Sequence, residues 1–443
     1  MAAPARRDMS SWTASGEGPD KGGVHGSAGS RNGWWTVGEG WFGSAPAGGS
    51  PRISVVPVRV LLDVSAVPSD PRGAGRYIVE LATHLTRRDA PDLDLVLLAS
   101  RGDRGRWRAL AQPGSIGSCS VVEGVPRGRV PRLVWEQVAG PGAGRRHAVD
   151  VWHGPHYTLP LRRRGPSVVT VHDLTMLEHP EWHERSKTVY FGRMIPAAVA
   201  HASVCVCVSA HTARRLEDLV PPASGGARRA VEVIPHGVDH DRFRTEPDAR
   251  ADLAVLDAIG VRPPYVAFVG TIEPRKDLPT LVQAFARVAT ADPELRLVIA
   301  GGRGWDATPV RDAIAASGAA HRIVRTGFVD DDVLPALMRR SSAFVYPSLE
   351  EGFGLPALEA LACGAPVVTT AGSSIEEFVG DAALLVAPGD AQALGAAISK
   401  ALDPAVAATL SARGPSQAAP YTWTAAADAH LAVYRRAAAC GAG

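Results

Sequence analysis

Short apolar runs rich in β-branched residues recur along the chain and alternate with stretches of helical period, such as Tyr77–Leu85. This alternation predicts parallel strands that are covered by helices on both faces. The strands predicted in the first half of the chain are Val58–Asp63, Leu95–Ala99, Val149–His153, Val168–Val171, Val204–Val208 and Val231–Ile234.

A Pro- and Asp-rich passage at residues 237–264 interrupts this rhythm, which then starts again. We therefore predict an α/β fold of two doubly wound, Rossmann-like domains, over residues 58–250 and 251–420, with a hinge at 237–264. An amphipathic pattern over Thr424–Arg436, inside the terminal segment 421–443, predicts a last helix that packs back onto the first domain. The strands predicted in the second half are Tyr265–Val269, Leu295–Ala300, Ile323–Thr326, Ala343–Tyr346, Val367–Thr369 and Leu384–Val386.

The first 57 residues lack this pattern. The first fifty contain twelve glycines, and such a segment cannot bury enough surface to offset its ordering entropy. We predict a disordered extension at residues 1–57. Its four tryptophans are unusual for a linker; they are Trp12, Trp34, Trp35 and Trp41. The segment is either an adhesive tail or the result of a start codon assigned too far upstream, and the second interpretation is the simpler.

Composition narrows the class of protein. The chain has 443 residues, 46% of them hydrophobic and 21% charged, which is typical of a globular protein of two domains. The net charge of +2 argues against a nucleic-acid binder. The sequence has no run of about eighteen apolar residues and no apolar region of a signal peptide, so we expect neither a membrane span nor a leader.

The five cysteines are scattered and odd in number. Cys205 and Cys207 alternate in the apolar run Ser203–Val208, so they point to one face of a strand. Packed thiols are more frequent in that arrangement than a metal pair. We therefore expect a reduced, cytoplasmic protein.

The first predicted domain is locally basic. Between Arg59 and Gly165 there are 17 arginines against 10 acidic residues. One interpretation is a solvated surface in an Arg-rich composition. The other is attraction to an anionic acceptor or to the inner face of a membrane, with the protein peripheral to that membrane.

The segment PSLEEGFGLPALEALACG follows the predicted strand Ala343–Tyr346 directly. Open α/β sheets bind ligands at the carboxyl ends of their strands. Gly352 and Gly354 allow close approach of the backbone, and free amides at the start of the next helix suit phosphate or sugar oxygens. Glu351 and Glu359 would bracket a ligand, because each carboxylate accepts hydrogen bonds from vicinal hydroxyls. A loop acid plus a helix-dipole acid is the structural alternative.

A second cluster, VGTIEPRKDL, follows the predicted strand Tyr265–Val269 and contains Gly270. The adjacent Arg275 and Lys276 can neutralise a diphosphate leaving group, arginine by its forked guanidinium and lysine as a point charge. A solvated helix start is the alternative for such a pair. The position at an equivalent strand end of the same domain favours the functional interpretation.

Two weaker signals lie in the first domain. His172, in VTVHDL at the end of a predicted strand, would face a sugar, although a structural hydrogen bond explains a His-Asp pair equally well. Gly73 and Gly75 of GAGR would cradle a phosphate, but two glycines are a weak fingerprint. The sequence has no Walker pattern, zinc-like Cys/His spacing or Ser-centred elbow, so those chemistries lack support.

These motifs make the chain similar to the retaining GT-B glycosyltransferases of family 4, which include many bacterial mannosyltransferases. The resemblance runs from about Val58 to Arg436. It rests on the paired glutamates of EEGFGLPALEALACGAPVV and on VGTIEPRKDL, VIPHGVD, VHDL, GAGRYI and TGFVDDDVLPALMRRSSAFVYPS. The adjacent arginine and lysine resemble an "EPRK" subgroup.

The resemblance implies a role for each motif residue. Arg275 and Lys276 would bind the donor diphosphate. Glu351 would contact the sugar, Glu359 would bind the ribose hydroxyls, and His172 would complete the catalytic set near the transferred sugar. The other residues implied to bind the donor are Gly75, Gly270, Val329 (through its backbone, at the base), Gly352, Phe353, Gly354 and Leu355.

The resemblance also implies transfer of a hexose with retention, by front-face attack in which the leaving phosphate takes the acceptor's proton, without a metal or another cofactor. GDP-mannose is the first donor implied and a UDP-sugar such as UDP-glucose the alternative. The acceptor would be a glycan or lipid-linked, as in polysaccharide or cell-envelope synthesis. Thr271 stands where arginine is frequent, so phosphate neutralisation would depend more on Arg275. In VIPHGVD, His236 stands where asparagine is frequent, which is a second departure from the family.

Other classes of protein share this fold. An epimerase is not expected to carry the paired-glutamate loop with EPRK, and a phosphorylase needs a pyridoxal lysine and a longer chain. The non-enzymatic alternative is an inactive scaffold that binds a sugar nucleotide. The joint presence of both cations and both glutamates argues against it.

Overall fold

The computed structural model describes residues 57–110, 116–221, 229–246, 248–302, 304 and 307–441. The extension predicted at residues 1–57 lies outside these ranges, apart from its last residue. In the described part of the chain the strands form two parallel sheets, one of seven strands and one of six. The prediction of an α/β fold with two doubly wound sheets is thereby confirmed.

The first sheet has its earliest strand near the middle. Its strands are β1 (Val58–Asp63), β2 (Leu93–Ser100), β3 (Ser118–Val125), β4 (Val151–Gly154), β5 (Ser167–Val171), β6 (Val204–Cys207) and β7 (Ala230–Val233). They lie in the order β3-β2-β1-β4-β5-β6-β7. Leu61 and Leu62 are fully buried in two different cores, because adjacent residues of β1 point to opposite faces and helices cover both.

The helices of this half connect successive strands. They are α1 (Ala74–Thr86), α2 (Arg104–Leu110), α3 (Arg129–Val138), α4 (Gly140–Arg146), α5 (Thr175–Glu178), α6 (Arg185–His201) and α7 (Ala210–Leu219). A side-chain cap starts α7, where the Ser209 hydroxyl accepts a hydrogen bond from the Thr212 amide. The backbone near β5 and α7 is thereby fixed beside the cleft.

The second sheet is also parallel, with its earliest strand near the middle. Its strands are β8 (Tyr265–Val269), β9 (Arg296–Ala300), β10 (Ile323–Gly327), β11 (Ala343–Tyr346), β12 (Val367–Thr370) and β13 (Ala383–Val386), in the order β10-β9-β8-β11-β12-β13. Its helices are α8 (Ala249–Ala258), α9 (Leu278–Val288), α10 (Thr308–Ala316), α11 (Leu334–Arg339), α12 (Leu355–Ala362), α13 (Glu376–Val379), α14 (Ala391–Ala401) and α15 (Pro404–Ala418).

The predicted division between residues 250 and 251 falls inside α8. Asp252 of this helix accepts hydrogen bonds at 2.8–2.9 Å from Arg339 and Arg340, at the end of α11. Helix α8 is therefore joined to α11 of the second domain.

The last helix, α16 (Trp423–Gly441), packs on α1 and on the first sheet. It begins one residue earlier and ends later than the predicted Thr424–Arg436. Two exposed ion pairs fasten it, from Arg88 to Asp428 at 2.6 Å and from Arg435 to Asp92 at 2.6 Å. The chain thus returns to the domain where it started.

One strand was not predicted. β3 is an edge strand, and its residues alternate between exposed and partly buried positions, with Val121 and Val125 buried. Ser118, Ser120 and Glu123 interrupt the apolar run, so the sequence lacks the continuous hydrophobicity of the central strands. Open edges tolerate such residues, because one side of the strand meets water.

A buried hydrogen-bonded network joins α16 to the first sheet. The Tyr77 hydroxyl lies 2.8 Å from His430 Nε2 and 3.0 Å from Thr170 Oγ1. His153 lies 2.8 Å from the same threonine oxygen and 2.7 Å from the Tyr434 hydroxyl. Burial lowers the pKa of His430 to about 4, and burial together with His430 lowers that of His153 well below its ordinary value.

We therefore expect stability to fall in mild acid. Both histidines are neutral in the folded protein, whereas in the unfolded chain they take up protons below about pH 6.5, so folding stability is present above that pH and is lost as the pH falls. Between pH 7.5 and 5.5 the free energy of unfolding should drop by about 1 kcal/mol for each histidine, measured by urea denaturation. His430→Gln should flatten this slope, whereas the exposed control His321→Gln should retain it; equal slopes in the two variants would contradict the assignment.

Among the described residues, no single helix has both the length and the apolar composition to cross a bilayer. Helices α14 and α15 reach that length and composition only as a pair, and the chain bends by 89° between them.

Candidate active site

The carboxyl ends of both sheets border one cavity of about 1190 Å³. His172, which follows β5, lines it from the first half of the chain. Lys276, in a 3-10 turn after β8, and Glu351, in the loop after β11, line it from the second half. The structure therefore brings together residues that the sequence placed at three separate strand ends.

Arg275, Lys276 and Glu351 form one buried ionic cluster. The Glu351 carboxylate binds the Lys276 ammonium through Oε1 and the Arg275 guanidinium through Oε2, the latter at 2.6 Å. The Lys276 ammonium also donates to the Tyr346 hydroxyl at 2.5 Å and lies 4.7 Å from the centre of that ring. Arg275 also pairs with Glu273 at 2.9 Å, so two carboxylates meet the two cations of this cluster.

Glu351 keeps its charge despite burial, whereas burial and the charge of Arg275 lower the pKa of Lys276. Burial alone would raise the pKa of Glu351, but the charges of Arg275 and Lys276 outweigh that effect and lower the pKa to about 2. Glu351 is therefore ionised at neutral pH. A buried carboxylate between two cations fixes the positions of both side chains.

Arg275 makes further contacts within the second domain. Its guanidinium donates to the Glu350 carbonyl oxygen and to the Glu273 carboxylate, both at 2.9 Å. A guanidinium carries more N–H donors than these contacts use, so it remains able to bind a phosphate oxygen. The contacts hold it at the cavity wall, where it is one of the lining residues.

The loop between Glu351 and α12 lies along the same cavity. Gly352, Phe353, Gly354 and Leu355 all line it. Gly354 has a φ of +100°, a left-handed conformation that favours glycine, and it ends the loop so that α12 begins at Leu355. The first amides of a helix lack intrahelical acceptors, so this end of α12 suits an anionic or hydroxyl oxygen.

The two halves of the chain touch closely at Gly352. A β-carbon added to this glycine would lie 1.7 Å from the His172 carbonyl oxygen and 2.9 Å from Cβ of Asp173. The Thr212 hydroxyl is placed between the same two segments, 3.2 Å from the Gly352 carbonyl oxygen and 3.5 Å from that of His172. Only a residue without a side chain fits at position 352.

His172 lies in an aromatic wall of the cavity. Its Nε2 donates a hydrogen bond to the Pro155 carbonyl oxygen at 2.8 Å, because a carbonyl only accepts. Burial lowers its pKa, which favours the neutral ring and leaves Nδ1 without a proton. The rings of Tyr77, Tyr157 and His236 lie 4.9, 5.5 and 5.7 Å from it.

Glu359 is buried in the second turn of α12 and lines the cavity. It pairs with Arg76 of α1, with Arg76 Nη1 2.8 Å from Glu359 Oε1. No sequence motif indicated this contact. GAGR marked the loop before α1, yet nothing in that motif points to a carboxylate in the other domain.

The remaining predicted donor-binding residues divide into two groups. Val329 and Gly270 line the cavity, after β10 and β8 respectively. Gly75 differs, because it lies inside α1 and is not a lining residue; a β-carbon there would meet Pro68 and Pro71, each at 3.4 Å. Its neighbours Gly73 and Arg76 border the cavity in its place. Gly75 thus serves the packing of the loop.

Two solved structures share this arrangement over their whole length. The crystal structure of Anabaena HepE in complex with UDP and glucose superposes with a TM-score of 0.66 at 19% identity, covering 86% of this chain and 100% of that one. The glycosyltransferase WaaG, involved in lipopolysaccharide biosynthesis, gives 0.64 at 15% identity, covering 87% and 100%. The fold is GT-B, two parallel-sheet domains with a cleft between them.

Sequence comparison identifies the family. The family described as Glycosyl transferases group 1 matches residues 257–412, and Glycosyltransferase Family 4 matches residues 71–242. O-antigen chain mannosyltransferase B of Escherichia coli is 32% identical, over 62% of this chain and 71% of that protein. A D-inositol 3-phosphate glycosyltransferase of Kineococcus radiotolerans is 30% identical, over 87% and 97%. The chain therefore belongs to the family 4 glycosyltransferases and is a transferase enzyme.

This result confirms the family predicted from the motifs. It supports an enzyme and not the inactive scaffold that was the alternative. Membership of the "EPRK" subgroup stays a prediction.

Proposed function

We propose that the enzyme transfers a hexose from a nucleoside-diphosphate sugar to a glycan or lipid-linked acceptor, with retention of configuration at the anomeric carbon. The observation that carries the proposal is the buried cluster of Arg275, Lys276 and Glu351 on the wall of the cleft. Two cations with free N–H donors beside helix-start amides suit the oxygens of a diphosphate.

The reaction would proceed on one face of the sugar. The bond between the anomeric carbon and the diphosphate oxygen breaks, and the acceptor oxygen forms its bond from the same side. The proton of the acceptor hydroxyl passes to the departing phosphate oxygen. Arg275, Lys276 and the amides of residues 353–355 would stabilise the negative charge that develops on that phosphate.

We propose that this step needs no metal ion. Arg275 and Lys276 supply, from the protein, the positive charge that a divalent cation would otherwise bring to the diphosphate. Transfer measured in excess EDTA should equal transfer measured with added Mg²⁺. A dependence on Mg²⁺ would overturn this part of the proposal.

GDP-mannose is the donor that we propose. The support is the similarity to O-antigen chain mannosyltransferase B and to a GDP-mannose-dependent phosphatidylinositol monomannoside mannosyltransferase of Mycolicibacterium smegmatis, 32% identical over 48% of this chain and 56% of that protein. A UDP-sugar is the second candidate, because the structural neighbour HepE binds UDP and glucose.

Thermal stabilisation by GDP, UDP, GDP-mannose and UDP-glucose tests both donors. A nucleotide at one hundred times its Kd adds about 2.7 kcal/mol of stability, so the preferred base should raise Tm measurably. We expect the guanine nucleotides to stabilise more, and the product's anomeric configuration, read by NMR, to match that of the donor. Stronger stabilisation by UDP would select the second candidate, and no stabilisation by any of the four would contradict the proposed function.

We also propose that the first domain contacts an anionic membrane at the cytoplasmic face, where a lipid-linked acceptor would be reached. Val130, Val134 and Val138 form a stripe along α3 and are 67%, 56% and 78% exposed. On α6, which Arg129 of α3 reaches through Ser186, Val189 is also exposed.

Exposed arginines flank these valines along the sequence, and Arg129, next to Val130, lines the cavity. Arg185 and Arg193 lie one turn before and after Val189 on α6. The start of α3 reaches α6 through Arg129, which donates to Ser186 at 2.9 Å and lies 3.7 Å from Glu184. Other exposed arginines precede α3 or end α4, namely Arg127, Arg145 and Arg146. Exposed valines on elements that carry exposed arginines suit the interface of an anionic bilayer.

Replacement of the three α3 valines by serine should weaken binding to anionic vesicles about tenfold. Co-sedimentation with vesicles of phosphatidylcholine containing phosphatidylglycerol measures it, and high salt should release the wild type. The matched control, Leu253→Ser with Val255→Ser, removes exposed apolar residues of α8 and should not change binding. Equal binding to vesicles without phosphatidylglycerol would contradict an anionic partner.

A further inference from the structure

The ion pair between Arg76 and Glu359 crosses the cleft. Arg76 belongs to α1 of the first domain, and Glu359 belongs to α12 of the second. Their side chains are 13% and 4% exposed, and the charged atoms lie 2.8 Å apart. A contact this close and this buried holds each side chain in one position.

The surroundings of Glu359 show what the arginine does for it. Burial raises the pKa of Glu359, and the positive charge of Arg76 is the largest influence that opposes this rise. Without Arg76, the buried carboxyl would therefore tend to take up a proton. A protonated carboxyl loses part of its capacity to accept hydrogen bonds from hydroxyl groups.

Arg76 is itself fixed in place. Its guanidinium lies 5.3 Å from the centre of the Phe243 ring. The negative charges of Asp331, Glu80 and Asp239 add to that of Glu359 in keeping it protonated. Arg76 therefore presents a rigid, permanently charged group to Glu359.

A second arginine of the same segment also crosses the cleft. Arg72, in the loop between β1 and α1, stacks over the ring of Phe328 at 4.5 Å. Its guanidinium lies so close to Gly302 that a β-carbon there would be 2.3 Å from Nη1. Phe328 precedes Val329, the residue predicted to lie at the base, so residues 72–76 reach the nucleotide side of the cleft at two points.

We propose that Arg76 is a positioning residue, which holds Glu359 ionised and oriented so that the ribose hydroxyls of the donor are recognised only when the first domain is closed against the second. This inference rests on the proposed function, in which Glu359 accepts hydrogen bonds from the ribose. Donor recognition then depends on a residue of the first domain, and closing the cleft completes the donor site.

The test compares a ribonucleoside diphosphate with its 2′,3′-dideoxy counterpart by calorimetry. Wild-type enzyme should bind GDP, or UDP if that is the preferred base, about tenfold to a hundredfold more tightly than the dideoxy form, since hydrogen bonds to a charged group are lost. Arg76→Ala and Glu359→Gln should each bring this ratio close to one. The double variant should show no further change, and Arg76→Lys should retain part of the ratio.

Arg88→Ala is the matched control. It removes an ion pair with Asp428 near the other end of α1, away from the cleft residues, and should leave the ratio unchanged. If Arg76→Ala lowers Tm but keeps the wild-type ratio, Arg76 is only structural and the inference fails while the proposed function stands. If wild-type enzyme binds neither diphosphate, the proposed function itself fails.

Discussion

Lys276→Ala is expected to lower kcat/KM by about a hundredfold to a thousandfold, with most of the loss in the affinity for the donor. Lys276 is buried, and its ammonium is one of two cations that meet at Glu351 on the cavity wall. Removal of one such group from a preorganised site typically costs about 3–4 kcal/mol in transition-state stabilisation. Arg275→Ala should weaken the donor diphosphate in the same way.

Comparison of a nucleoside diphosphate with the nucleoside alone shows whether the lost affinity comes from contacts with the phosphates. Affinity for the nucleoside diphosphate should fall, whereas affinity for the nucleoside alone should be unchanged. Arg311→Ala, which removes an exposed cation of α10 that pairs with Asp312, serves as control. Glu351→Gln should differ from both cation variants, slowing transfer more than it weakens donor binding. Unaltered turnover in Lys276→Ala and Arg275→Ala would remove the basis for the phosphate assignment.

Gly352→Ala is expected to reduce kcat about a hundredfold and, by drawing Arg76 away from Glu359, to weaken nucleotide binding as well. The added methyl group would lie 1.7 Å from the His172 carbonyl oxygen, so one of the two backbone segments must move by more than an ångström. That movement would separate the first domain, with its acceptor, from the donor site. A misplacement of about 1 Å can by itself cost about a hundredfold in rate.

The glycine control is Gly105→Ala. Gly105 is exposed in α2, and a β-carbon there meets nothing within 4 Å. Alanine should leave turnover unchanged and raise stability by about 0.5–1 kcal/mol, as is usual when a helical glycine is replaced. Steady-state kinetics and Tm of the two variants, measured side by side, separate the effect at the cleft from a general effect of a methyl group. A Gly352→Ala enzyme with wild-type kcat would show that the domains need not approach so closely.

The central strands could be predicted from the sequence, because a strand buried on both faces is a continuous apolar run. β8 and β11 have the predicted bounds, and they carry the two motifs to neighbouring positions in the second sheet. The edge strand β3 could not be found in this way, since exposure at a sheet edge permits serine and glutamate within the run. The edge strand lacks a continuous apolar run, and this explains why the sequence did not reveal it.

The site was predictable within one domain and much less so across the cleft. Arg275, Lys276 and Glu351 follow adjacent strands, so their convergence is a matter of sheet order. The partnership of Arg76 with Glu359 depends on the distance between two domains, which no local pattern encodes. Gly75 was assigned by a pattern of glycines, whereas the structure places it inside α1, beside Pro68 and Pro71 and outside the residues that line the cavity.

The path of the chain restricts how the cleft can open. The polypeptide crosses between the domains twice, after β7 and again before α16, and the two crossings run side by side, with the Val238 amide donating to the Tyr421 carbonyl oxygen at 3.1 Å. A β-carbon on Gly237 would lie 2.0 Å from the Trp423 nitrogen, so neither crossing can slide past the other. Two adjacent crossings restrict the first domain to rotation about one axis relative to the second, and they resist rotation about other axes. In each turnover the first domain would therefore open and close along the same path.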